Sequence, residues 1–292
     1  MRLRVRHRDH HLLEWNPSGA TTVWLCHGYL DCAWAWQAVA ASLALRYRVL
    51  ALDWRGHGQS DWNPPGLPYH FVDYVADLWA LWPQLATTRT HLVGHSMGGV
   101  AVVLFCGAAL EGRSHALPAL ASVALLEGLG PPDGGQQDPR LTLRRYASRP
   151  AAGSDAGMVL PDLNAAMLRL QRNHPQVDAQ WLHWLARKLS VPIAGGPERR
   201  WHFDPQHRHP SALPFSAERF CHFASAVHRP TLVLQGSRGM PLPDAAARIA
   251  ALPYARLRCI EDAGHMLHWS HPLRVCAELR HFWQGLDAAT QA

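Results

Sequence analysis

Short apolar runs typical of β-strands alternate with longer helical stretches through the first half of the chain. Strands are predicted at residues 3–7, 12–15, 22–26, 48–52, 90–93 and 122–126. Helical patterns lie between them, at residues 34–45, 72–85 and 97–110. This alternation is typical of a mostly parallel sheet covered by helices, so the sequence predicts an α/β fold.

The strand pattern stops after residue 127 and returns only at residues 230–234, where the chain re-enters the predicted sheet. The run PPDGG at residues 131–135 marks the exit from the sheet. Amphipathic helices follow at residues 163–173 and 177–189, and the last elements are a strand at 256–260 and a helix at 272–283. We therefore predict a core made of residues 1–127 and 227–292, with residues 128–226 inserted as a helical lid.

The composition indicates a soluble globular protein. Of 292 residues, 48% are hydrophobic and 17% charged, which excludes a disordered chain. The net charge is +6, but apart from Lys188 the basic residues are scattered arginines, so no nucleic-acid surface is predicted. No window approaches the roughly 18 apolar residues of a membrane span. Without a secretory signal or a CxxC pair among the six cysteines, we expect a cytoplasmic protein.

The segment GHSMG at residues 94–98 fits the pattern G-x-S-x-G, which places a nucleophilic serine on a sharp turn. It lies between a predicted strand and a helix rich in small residues, as such a turn requires. The flanking glycines leave room for the turn, and Ser96 would stand at the positive end of the following helix. The alternative is an ordinary turn whose serine only caps the helix.

A serine needs a base, and His265 is the candidate. It follows a glycine at the exit of the last predicted strand, where this chain order of serine, acid and histidine places the base. The spacing of His265, His268 and His271 could also suggest metal ligands. No carboxylate or cysteine pattern accompanies them, so neither a metal nor a cofactor is expected.

These motifs, together with His27-Gly28 and the loop DWRGHG at residues 53–58, resemble those of the α/β-hydrolases over nearly the whole chain. The resemblance implies an α/β-hydrolase fold with an inserted lid. It also implies that the backbone N–H groups of Tyr29 and Met97 form an oxyanion hole. The loop at residues 53–58 matches a structural loop of that family, and we assign it no chemistry.

The acid of the triad departs from the usual pattern of this family. Most members carry it after the strand at residues 230–234, in the pattern G-x-x-D, and here Gly239 occupies that position. Asp244 lies farther along, where we expect it to cap the helix at residues 245–251. Certain dehalogenases and lipases of the family carry the acid one strand earlier. That position is Glu127 in this chain.

Glu127 ends an apolar strand at the edge where the other catalytic groups are expected. A buried carboxylate there needs a partner, and the imidazole of His265 would provide one. The alternative is that Glu127 faces solvent at the start of the lid. The dehalogenases that share this acid position use an aspartate nucleophile, and Ser96 argues against that chemistry.

Two further segments, LEGLGP at residues 126–131 and WHFDP at residues 201–205, look like those of the serine hydrolase-like proteins within the same family. This likeness implies no particular substrate. His27, Trp34 and Trp201 are predicted to line the substrate pocket, since aromatic side chains of the lid and of the loop after Tyr29 could enclose an apolar group.

The sequence therefore predicts a serine hydrolase acting on a small, mostly apolar ester or related acyl compound through Ser96, His265 and Glu127. A non-catalytic binding protein or receptor with the same fold is the alternative that Gly239 favours. A perhydrolase or a carbon–carbon bond hydrolase also stays open, because both use the same triad.

Overall fold

Eight strands form the central sheet of the computed structural model, which describes residues 1–110, 117, 119–134, 138–148, 159–209 and 211–291. Their order across the sheet is β1-β2-β4-β3-β5-β6-β10-β11. All pairs from β4 to β11 are parallel, and the two pairs that join β1 to β2 and β2 to β4 are antiparallel. The strands are β1 (Arg2–Val5), β2 (Arg8–Trp15), β3 (Thr22–Cys26), β4 (Arg48–Leu52), β5 (Thr90–His95), β6 (Leu120–Leu126), β10 (Thr231–Arg238) and β11 (Ala255–Gly264).

Helices lie on both faces of this sheet and in the segment between β6 and β10. They are α1 (Gln37–Leu43), α2 (Phe71–Leu85), α3 (Met97–Leu110), α4 (Pro139–Ala147), α5 (Leu163–Asn173), α6 (Ala179–Leu189), α7 (Ala217–Ser225), α8 (Ala245–Ala250), α9 (Leu267–Ser270) and α10 (Pro272–Gln291). None of the described helices is long and apolar enough to cross a membrane.

The core lies in two layers because side chains alternate across a strand. In β3, Trp24 and Cys26 pack into one cluster with α2 and α3, whereas Val23 and Leu25 pack into a second cluster with α1 and α10. All four are fully buried. A strand buried on both faces gives the continuous apolar run that the sequence shows at this point.

The segment between β6 and β10 contains more than the predicted helices. The expectation that strands stop between residues 128 and 226 is wrong, because β7 (Val159–Leu160), β8 (Ser190–Pro192) and β9 (Arg199–Trp201) form an antiparallel sheet in the order β7-β9-β8. Each strand has only two or three residues, which is too short to show a period of two in the sequence.

The end of this segment packs on the core. Phe220 and Ala224 of α7 belong to the same buried cluster as α3. The contact is close, since a Cβ on Gly107 of α3 would lie 2.4 Å from the carbonyl oxygen of Phe223. Helix α7 therefore lies within residues 128–226, the predicted lid, and packs on α3 of the core.

Several histidines are buried in this core. Burial lowers the pKa of His91, His207 and His268 to about 3, because a charged imidazole loses its hydration in the interior. Asp31 differs, since burial raises the pKa of its carboxyl to about 7. At neutral pH these imidazoles are therefore neutral.

We predict that acid destabilises the fold. The unfolded imidazoles titrate near pH 6.5, so between about pH 6.5 and 3 the unfolded chain binds more protons than the folded one. Each group then lowers the free energy of unfolding by up to about 1.4 kcal/mol per pH unit, and the raised pKa of Asp31 offsets one of them. Urea unfolding at pH 7.5, 6 and 5 measures this slope. His91→Gln should reduce it and the exposed His228→Gln should not; a midpoint independent of pH would contradict the account.

Candidate active site

The carboxyl ends of three parallel strands bring the predicted catalytic residues together. Ser96 follows β5, Glu127 follows β6 and His265 follows β11. Strands β5 and β6 are neighbours, β10 lies between β6 and β11, and all four are parallel. Leu126 of β6 pairs with His95 of β5 on one side and with Leu234 of β10 on the other. All three side chains line one cavity of about 380 Å³. The parallel register therefore places at one point residues that are up to 169 positions apart in the chain.

Ser96 occupies a strained turn between β5 and α3. Its φ is +49°, a left-handed conformation that is costly for a residue with a side chain. The turn packs tightly, since a Cβ on Gly94 would lie 2.6 Å from Cα of Gly99, and one on Gly98 would lie 2.5 Å from the carbonyl oxygen of Cys26. A serine that only caps a helix takes extended dihedrals. The observed backbone instead fits a nucleophile elbow.

Glu127 is held in place by the neighbouring loop. Its carboxylate accepts hydrogen bonds from the backbone N–H of Gly236, at 2.8 Å, and of Met240, at 3.3 Å. Its side chain is 6% exposed. A Cβ on Gly239 would lie 2.3 Å from Oε1 of Glu127, so the carboxylate fills the space that a side chain at position 239 would take.

His265 faces this carboxylate. Its Nδ1 lies 3.4 Å from Oε2 of Glu127, and its side chain is 28% exposed. Among the described residues no hydrogen bond joins His265 to Ser96, although both line the cavity. Such contacts often tighten only when a substrate is bound. The carboxylate thus orients one ring nitrogen and leaves the other for the cavity.

Asp244 is engaged elsewhere. Its carboxylate lies 2.8 Å from Nε of Arg248, one turn along α8, and it makes no side-chain capping bond at the helix start. The predicted capping role is therefore wrong. Arg248 is fully buried and also donates to the carbonyl oxygens of Leu129 and Pro131, each at 2.8 Å. Asp244 offsets the charge of this arginine, which ties α8 to the segment after Glu127.

Tyr29 and Met97 also line the cavity. Met97 is the first residue of α3, so its N–H has no acceptor within the helix. Among the hydrogen bonds of the described residues, neither of these two backbone N–H groups has an acceptor. Two free donors beside Ser96 are what an oxyanion hole needs.

The rest of the cavity is mainly apolar and aromatic. Its wall comes from the start of α2, from the segment after Glu127 and from the loop before α7; the larger side chains are Tyr69, Phe71, Tyr74, Leu129, Leu213, Phe215 and Leu242. His207 closes one side, where its ring stacks on Tyr69 with centroids 3.8 Å apart. Sequence reasoning missed this wall because no short motif marks it.

The three residues predicted to line the pocket lie elsewhere. His27 is fully buried, and its ring bonds to the Gly28 carbonyl and the Trp54 N–H, at 2.7 and 3.1 Å. Trp34 packs edge-to-face on Trp184, with centroids 6.0 Å apart. Trp201 is 6% exposed within the apolar cluster of the inserted segment. The prediction failed because His27 is bonded within the core, whereas Trp34 and Trp201 pack between the inserted segment and the core.

The loop at residues 53–58 has the structural role that was expected. Asp53 is buried and accepts hydrogen bonds from Ala33 N–H, at 2.7 Å, and from His11 Nδ1, at the same distance. The loop also holds the inserted segment, since Gly58 N–H donates to the His202 carbonyl at 2.8 Å. The segment WHFDP therefore docks on this loop.

A second polar group, not foreseen from the sequence, lies behind His265. His95 donates from Nε2 to the carbonyl oxygen of His265 at 3.0 Å. Asp31, His95 and His268 are all buried, and one ligand atom of each lies within 4.8 Å of the others, as a metal ion would require. Burial lowers the pKa of His95 well below its usual range, and the nearby His268 and His265 add to this effect. None of the three lines the cavity, and their wide sequence separation leaves no motif.

The chain is similar in sequence and in fold to several known proteins. A family model described as the alpha/beta hydrolase family matches residues 25–279. The serine hydrolase-like protein of Danio rerio is 35% identical over 91 residues, 31% of this chain and 28% of that protein. Epoxide hydrolase A of Mycobacterium tuberculosis is 26% identical over 328 aligned positions, covering 98% of this chain and 95% of that protein.

A solved structure of a hypothetical protein from Pseudomonas aeruginosa PAO1 superposes with a TM-score of 0.79 at 26% identity, covering 99% of each chain. The chain spans 28% to 62% of the length of three curated relatives, the Danio rerio protein among them. The predicted fold class and the likeness to serine hydrolase-like proteins are confirmed.

Proposed function

The chain belongs to the alpha/beta hydrolase family and is a hydrolase of that superfamily, and we propose that it is a serine hydrolase of esters or related acyl compounds. One observation carries the proposal: Ser96, His265 and Glu127 line a single cavity, with the carboxylate of Glu127 3.4 Å from Nδ1 of His265. These are the nucleophile, base and orienting acid that acyl transfer requires.

The proposed reaction begins when Oγ of Ser96 attacks the substrate carbonyl carbon. Nε2 of His265 takes the serine proton and gives it to the leaving alcohol, whose bond to the carbonyl carbon breaks. A water molecule, deprotonated by the same imidazole, then releases the acid from the acyl-enzyme. Glu127 holds the imidazole in the correct tautomer and stabilises its charged form without taking the proton.

The negative charge on the carbonyl oxygen would be stabilised by the N–H groups of Tyr29 and Met97. Removing one such donor typically costs about 10²–10³ in turnover. The apolar wall supports a substrate with an apolar group next to the carbonyl, since Leu129, Phe215 and Leu242 offer no polar partner.

The alternative of a non-catalytic binding protein rested on Gly239, which leaves the usual acid position without a carboxylate. This alternative has less support, because the carboxylate of Glu127 occupies the space beside Gly239. Epoxide hydrolase A and the serine hydrolase-like protein are relatives of this chain. We favour acyl transfer over epoxide opening because the nucleophile position holds Ser96.

A fluorophosphonate probe should label the native protein at Ser96, because Ser96 lines the same cavity as His265 and Glu127. Ser96→Ala should abolish the labelling, as measured by gel fluorescence and peptide mass spectrometry. Ser211→Ala is the matched control, since Ser211 lines the same cavity and its loss should leave labelling intact. Labelling that survives Ser96→Ala, or none of the native protein, would contradict the proposal.

The acid is tested by the hydrolysis of p-nitrophenyl butyrate. Glu127→Gln should lower kcat/KM by about 10²–10⁴, because the imidazole loses its orienting charge. Asp244→Asn should leave kcat/KM within a few fold and lower the melting temperature, since it weakens the pair with buried Arg248. The opposite order of the two kinetic effects would move the acid to Asp244.

A further inference from the structure

A second and larger cavity adjoins the one that holds Ser96. Its volume is about 750 Å³, against about 380 Å³ for the first. The two share a stretch of wall at the start of α2 and in the loop before α7, made of His70, Phe71, Ser211, Leu213 and Phe215. The two cavities therefore adjoin along this wall, which includes Phe71 and Phe215.

The second cavity is a groove between α2, α3 and α7, and its lining is mainly apolar. Val75 and Ala76 come from α2, Leu104 and Ala108 from α3, and Phe223 from α7. Apart from Arg6, His70 and Arg219, the described lining residues have no ionisable side chain. The groove thus offers burial to an apolar group and no polar partner along most of its length.

Large apolar side chains stay exposed at this groove. Val72 is 69% exposed, Leu213 is 66% exposed and Trp79 is 49% exposed. Exposed apolar side chains that lie together in this way mark a binding site. Because the groove shares a wall with the catalytic cavity, that wall favours an occupant that is part of the molecule that Ser96 attacks.

We propose that the groove between α2, α3 and α7 binds the unbranched acyl chain of the ester substrate, whose carbonyl lies at Ser96. The substrate is then an ester with a medium or long alkyl chain rather than a small one. This inference rests on the proposed function, because it assumes that an ester is bound in the first cavity.

The groove makes a quantitative prediction about chain length. Each methylene removed from water is worth about fourfold in kcat/KM, provided that the contact is kept in the transition state. For p-nitrophenyl esters from acetate to dodecanoate, kcat/KM should therefore keep rising beyond the length that fills the first cavity.

Filling the groove tests this directly. Ala76→Trp on α2 and Ala108→Trp on α3 place an indole in the groove, and neither residue lines the first cavity. Both variants should keep acetate and butyrate hydrolysis within about twofold and lose tenfold or more on the dodecanoate ester. Ala247→Trp, at an exposed position of α8 outside both cavities, is the matched control and should leave the whole series unchanged. Equal losses at all chain lengths in both groove variants, or no loss, would overturn the proposal.

A second series of alkyl acetates, from ethyl to dodecyl, distinguishes the two places where the chain could be attached. A rise confined to the p-nitrophenyl series, as predicted above, places the acyl chain in the groove, and a rise confined to the acetates would overturn the proposal. A rate that falls with length in both series, as expected if a partner protein or a second copy of the chain covers the groove, would overturn the proposal.

Binding separates this inference from the proposed function. Equilibrium dialysis of dodecanoate with Ser96→Ala needs no catalysis. Adding Ala76→Trp to that variant should weaken binding about tenfold or more, and adding Ala247→Trp should not. If no ester is hydrolysed but dodecanoate binds with this pattern, the proposed serine hydrolase function is wrong and the groove still binds an alkyl chain. If short esters are hydrolysed but Ala76→Trp does not weaken dodecanoate binding, the groove proposal is wrong and the proposed serine hydrolase stands.

Discussion

The candidate site depends on how one carboxylate is placed. Glu127 leaves β6 with a φ of +48°, and its carboxylate accepts N–H groups of the loop after β10 while facing Nδ1 of His265. Gly239 makes this possible because any side chain there would collide with the carboxylate. The acid and the glycine are therefore complementary: either position could supply a carboxylate to the same point in space, and this chain uses the earlier one.

The rest of the architecture supports that placement. Tight glycine packing at the turn after β5 lets α3 pass close to β3, and this fixes Ser96 at the sheet edge. His95 bonds to the carbonyl oxygen of His265 and so holds the turn after β11. Arg248 ties α8 to the segment that follows Glu127. These contacts are made by backbone groups and buried side chains, so the core holds the geometry of the candidate site.

The sequence predicted those parts of the molecule that leave local patterns. Buried strands such as β3 and β5 read as apolar runs, and Ser96, Glu127 and His265 each follow a strand in the expected order. The short sheet β7-β9-β8 was missed because its strands are too brief for a period. The group of Asp31, His95 and His268 was missed because only the fold brings it together. The prediction that Trp34 and Trp201 line the pocket was wrong, because the sequence does not distinguish a tryptophan in a pocket wall from one in a packed interface.

Moving the acid back to the usual position tests the central claim most directly. Glu127→Gly should be nearly inactive on p-nitrophenyl butyrate, and Gly239→Asp alone should also be impaired because two carboxylates would share one space. Their combination should recover about tenfold or more in kcat/KM over Glu127→Gly, because a carboxylate again faces His265. A double variant no more active than Glu127→Gly, yet folded with an unchanged melting temperature, would contradict the account.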